Sequence, residues 1–143
     1  MKQLFSFIAL VFVFIAFSSF SQKKQRIQID AWEELEAFHL SIALTFHPAE
    51  DGDFEPIKND SDELVEAAQN LLKAKLPAYF EKSESENLKT ELQTALQKLV
   101  QQSKDLHNLV QTKKVTDAIL LEELNNLHST YHHIEELNNN AKK

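Results

Sequence analysis

Six histidines, at 39, 47, 107, 128, 132 and 133, are the residues of this chain best suited to metal chemistry. Two of them, His128 and His132, stand four apart, so on a helix they project from one face one turn above the other. That spacing lets two imidazoles share one metal ion, as in zincin helices. His133 falls about 100° round the same helix and is expected to face solvent. His39 sits in a seam whose other members, Ile29, Trp32, Leu35, Ile42 and Phe46, are apolar or aromatic. A lone histidine there reads as a core residue; a histidine with partners reads as a ligand. His47 precedes Pro48, where a helix is expected to end and to free the side chain from strict helical projection. His107 lies off any seam and is treated as background.

The rest of the composition narrows what these groups can do. There is no cysteine, which excludes a disulfide framework, a thiolate metal site and a C-x-x-C-H haem attachment. Covalent haem is therefore excluded. Gly52 is the only glycine, so no G-x-G-x-x-G fingerprint, phosphate loop or nucleophile elbow can be written. The formal charge of −7 argues against nucleic acid and anionic membrane surfaces as partners.

Six of the ten phenylalanines and the only methionine fall in residues 1–21. Lys2, the apolar run Leu4 to Phe17 and the small residues around Ser19-Phe20-Ser21 have the order of a secretory signal peptide. The apolar run is short for a spanning helix, and basic residues 23–26 follow it on the wrong flank for an anchor. The expectation is a leader over 1–21, a periplasmic or secreted body, and no membrane insertion after cleavage. Met1 leaves with the leader, so thioether ligation goes too. Lys2 is the leader's one charged residue, so the body carries −8.

Leu, Glu, Lys, Gln, Ala and Asn dominate the body, and strand-type alternation is absent. Four helical stretches are predicted: Arg26 to Phe46, Ser61 to Lys75, Glu84 to Gln111 and Thr116 to Leu137. Asp60 or Ser61 and Thr116-Asp117 supply capping signals. Residues 138–143 read as a frayed tail. Connections of about 14, 8 and 4 residues make neighbours antiparallel, so the expected fold is an all-α, up-down-up-down four-helix bundle over 22–137.

In such a bundle the first and last helices are neighbours. Matching their midpoints puts Glu36 opposite Asn126 or Leu127. Sliding the register by about two turns instead puts His39 level with His132 and His47 within one turn of His128. The pattern admits both. Glu36, one turn before His39, is the fallback ligand. The segment after His47 has four carboxylates in the six residues from Glu50 to Glu55. It reads as a solvated acidic turn, since it lacks the ligand schedule of a calcium loop; Glu50 could instead complete the histidine site.

Residues 39–58, HLSIALTFHPAEDGDFEPIK, and 127–137, LHSTYHHIEEL, together resemble a group of small secreted bacterial four-helix proteins. These are similar to the cytochrome c-prime bundle but lack its haem-attachment motif. The matching positions are His39, Phe46, His47, Pro48, Ala49, Glu50, Pro56, Ile57, Lys58, His128, Tyr131 and His132. The resemblance implies that His39, His47, His128 and His132 belong together, and such a set implies a metal site. Imidazole ligands suit zinc or copper. No convincing base is fixed beside the site, so no enzyme is expected. A non-metal structural or interaction module, and a bis-His haem bundle, are the alternatives. Four imidazoles spread over more than about 12 Å would fail as a single-ion site, because Zn–N bonds are only ~2.1 Å.

Overall fold

The computed structural model describes residues 31–82, 85–112 and 115–143. The expected leader, and the expected start of the first helix at Arg26, lie outside these residues. Five helices are described and no strand: α1 Glu33–Glu50, α2 Glu55–Lys73, α3 Ala78–Lys82, α4 Glu86–Val110 and α5 Asp117–Ala141. None of them is long and apolar enough to cross a membrane. The four long helices pack in a cycle, α1 on α2, α2 on α4, α4 on α5 and α5 on α1.

Apolar periodicity accounts for the core. Leu35, Phe38 and Ile42 of α1 meet Leu64 and Leu71 of α2, Leu92, Leu99 and Leu106 of α4, and Leu120, Leu124, Leu127, Tyr131 and Ile134 of α5 in one buried cluster. The capping signal at Thr116 is used: its hydroxyl accepts from the Ile119 N–H at 3.3 Å. Ser85 does the same for α4, accepting from Leu88 N–H. Trp32 stands at the start of α1, its ring buried edge-on against Phe80 at 5.8 Å. That contact explains the short α3, which lies inside the expected second connection and carries Phe80 into the core.

Three expectations about element ends are corrected. Pro48 does not stop α1, which runs on to Glu50. The chain turns out of the helix at Gly52, just past the C-cap Asp51, where a φ of +89° suits a residue without Cβ. Asp53 N–H donates to Pro48 O at 2.8 Å and Gly52 N–H to Ala49 O at 3.1 Å. This is the paired bonding of a Schellman motif, and with Ala49 buried it holds the turn beyond the proline. Secondly, the long first connection is short. Pro56 sits in the first turn of α2, where its missing N–H costs nothing, and the helix begins at Glu55. The Asp60-Ser61 signal marks a kink within α2, at Asp60, not its start. Thirdly, residues 138–141 are the last turn of α5, not a frayed tail. Asn138 is buried and accepts a hydrogen bond from the Tyr79 hydroxyl, which ties the helix end to the segment around α3.

Gly52→Ala leaves open space around the new methyl, since nothing approaches it within 4 Å, so any cost comes from the backbone. The left-handed conformation is expected to cost about 1 kcal/mol. Urea unfolding should show a lower midpoint with an unchanged slope; an unchanged midpoint would mean the turn does not need the glycine.

Candidate metal centre

Two helices that run in opposite directions build the histidine site. His39 of α1 lies against Tyr131 of α5, while Phe46, seven residues later, lies against His128, three residues earlier. The seam therefore has the slid register, not the matched midpoints. Phe38 and Phe46, the buried aromatics of α1, pack on Tyr131 and His128 at 6.1 and 4.4 Å, and this packing sets the stagger.

His128 is at the centre. His132 lies one turn along the same helix with ring centres 4.4 Å apart. His47 approaches edge-on at 6.2 Å. His39 does not join this row directly; it stacks flat on Tyr131, at 4.8 Å and 8°. Tyr131 also lies parallel to His128, at 6.4 Å and 3°. The three rings of His47, His128 and His132 thus fall within the 12 Å limit; His39 does not join them, since it stacks on Tyr131 and stands eight residues, about 12 Å, from His47 along α1. As the side chains stand, no three His, Asp or Glu among the described residues are arranged to hold one ion.

The continuation of α1 through Pro48 has a chemical consequence. His47 is helical, so Glu50 lies one turn ahead and its Oε2 is 3.0 Å from His47 Nδ1. On α5 the same spacing recurs, with Glu135 Oε2 3.2 Å from His132 Nδ1. A carboxylate can only accept, so Nδ1 carries the proton in both pairs, and in the neutral ring this tautomer leaves Nε2 with the lone pair. Metal-bound histidines usually have this arrangement, one ring nitrogen oriented by an outer carboxylate and the other on the metal. The sequence offers Glu50 as a group that completes the site, whereas here it bonds to His47 Nδ1. Glu135 was missed, although His-x-x-Glu at 47–50 and again at 132–135 is visible in the residues.

Electrostatics single out His128. Burial, and then the neighbouring His132, His47 and His39, push it below the usual imidazole range, with Glu50 opposing. Tyr131 is pushed up by burial and by Glu135 and Glu36, so the phenol stays protonated and donates to Glu135 Oε1 at 3.5 Å. Glu135 therefore accepts a hydrogen bond from His132 on one oxygen and from Tyr131 on the other.

The other two histidines stand elsewhere. His107 Nδ1 is 3.0 Å from the buried Ser61 hydroxyl at the kink of α2. His133 Nε2 meets Glu91 at 3.3 Å across the α4–α5 groove, where a cleft of about 480 Å³ opens. The acidic segment is spent on turn geometry: Asp53 Oδ1 accepts from the Glu55 N–H at 3.0 Å and Glu50 holds His47.

A lowered His128 means the folded chain binds that proton less readily than the unfolded chain, so acidification below about pH 6.5 favours unfolding. Urea unfolding at about pH 7.5 and about pH 5 is expected to show a loss of stability on acidification that is smaller in His128→Gln. Equal losses in the two proteins would exclude His128 as a source.

No family model, curated protein or solved structure matches the chain.

Proposed function

We propose that this is an exported metal-binding protein, an up-down-up-down four-helix bundle that takes up a zinc or copper ion at the seam between α1 and α5. The bundle reading is supported by the cyclic packing of the four long helices and the antiparallel α1–α5 pair. The observation that carries the metal reading is the doubled His-x-x-Glu. His47 and His132, on different helices, each have Nδ1 held by a carboxylate and flank His128.

The geometry of coordination fits without a change of fold. Two imidazoles on one tetrahedral ion have ring centres roughly 5 Å apart, given Zn–N bonds of ~2.1 Å. The His128–His132 and His47–His128 separations, 4.4 and 6.2 Å, bracket that value. His47 and His132 are on the exposed side of the seam, so their rings can turn to close the gap at little packing cost. His39, the fourth histidine of the expected set, stays stacked on Tyr131 and is outside the proposed ligand set. Burial and the neighbouring histidines lower His128, which favours the unprotonated form that binds metal. With imidazole as the donor, copper(II) binds more tightly than zinc by intrinsic order. The bis-His haem alternative is less favoured, because the buried Tyr131 stacks on both His39 and His128 where a porphyrin would need room. No reaction is proposed at the site.

Zinc(II) or copper(II) at about a hundred times its dissociation constant is expected to raise the melting temperature by on the order of 10 °C. The double variant His128→Ala plus His132→Ala should lose the rise while keeping its far-ultraviolet helical signal. A purified chain that neither metal stabilises would sink this function.

A further inference from the structure

On α1, Glu36, Leu40, Leu44 and His47 recur at spacings of four, four and three, which sets them on one stripe of the helix. The stripe faces away from the core members Leu35, Phe38 and Ile42. Leu40 and Leu44 are each 62% exposed, the two most exposed large apolar side chains among the described residues. One end of the stripe is His47, a proposed ligand, and the other is an exposed carboxylate, Glu36. Turned end for end about the point between the leucines, the stripe maps onto itself: Leu40 falls opposite Leu44, and Glu36 falls level with His47 and Pro48.

The proposed ion has three imidazoles from one chain, and a tetrahedral site has a fourth position. That position opens on the solvent side, where His47 and His132 are 62% and 54% exposed. We infer that a second copy of this chain fills it: two α1 helices pack antiparallel through Leu40 and Leu44, and Glu36 of each copy ligates the ion on the other's His47, His128 and His132. The inference rests on the metal reading above. A two-fold contact of this kind makes both ions equivalent and closes on itself.

Charge and area make the pairing conditional on the metal. Two leucines per copy cover far less than the ~800 Å² per partner of a stable interface. Two copies of so acidic a chain also repel. The metal-free chain is therefore a monomer. A divalent cation between Glu36 and the opposing imidazoles adds both the attraction and the specificity that the leucines lack.

Light scattering of the purified chain, with melting temperature followed in parallel, tests this. In chelator the mass of one chain is expected; with zinc(II), a twofold mass at one ion per chain. Leu40→Gln plus Leu44→Gln should keep the zinc-induced rise in melting temperature and lose the doubling. Glu36→Gln should lose the doubling as well, since a neutral amide is a poor ligand for the ion. A zinc-stabilised chain that stays monomeric would overturn the dimer and leave the metal reading standing. Doubling in chelator, or doubling that survives both sets of substitutions, would also overturn it. No stabilisation by zinc or copper(II) in the unmutated protein would remove both the metal reading and the dimer built on it.

Discussion

Tyr131 is packed by Phe38 on one contact and His39 on another, and it runs parallel to His128 one turn back on its own helix. This aromatic seam is the constraint on which the rest of the candidate site depends. Each such ring pair contributes about 0.5–1.5 kcal/mol beyond the area it buries. A salt bridge between exposed side chains contributes less than about 1 kcal/mol. The buried rings therefore decide how α1 and α5 slide against each other, and the exposed His47–Glu50 and His132–Glu135 pairs adapt to that register.

Once the stagger is set, the chemistry follows from helix geometry. His47 and His132 each have a carboxylate one turn ahead, at i+3, so both rings are oriented by elements internal to their own helices. His128 is packed on Phe46 and has no carboxylate partner of this kind one turn ahead; position 131 is a tyrosine. The cluster thus combines two exposed, oriented imidazoles with one whose protonation burial and its neighbours disfavour. In the proposed complex a cation would occupy the lone pairs that protons otherwise take. The acidic character of the chain points the same way, since its field favours cations over anions.

Much of the helical architecture was legible in the residues. The buried positions of the last helix, Leu120, Leu124, Leu127, Tyr131 and Ile134, are those its periodicity marks, and Thr116 caps it as its type suggests. The misreadings cluster where local rules compete with tertiary packing. Pro48 is a helix stop by local propensity, yet the Schellman turn at Gly52 and the buried Ala49 carry the helix past it. Residues 138–143 look polar enough to fray, but Asn138 is buried and bonded to Tyr79, a contact between positions 59 apart. Phe80 gave no periodic signal because its partner, Trp32, is 48 positions away in the chain, at the start of α1 while Phe80 lies in α3.

By itself, the sequence determined the available chemistry and the helical period. Without cysteine, the chain has no thiolate to offer, and the i,i+4 spacing of His128 and His132 puts two imidazoles on one face whatever surrounds them. Only the tertiary structure decided which register brings His47 beside His128 and leaves His39 on Tyr131. The physical reason is that a helix fixes the direction of its own side chains through short-range bonds. How far one helix slides along another depends on how bulky rings from distant parts of the chain fit together, and periodicity within each helix is nearly unchanged by a slip of two turns.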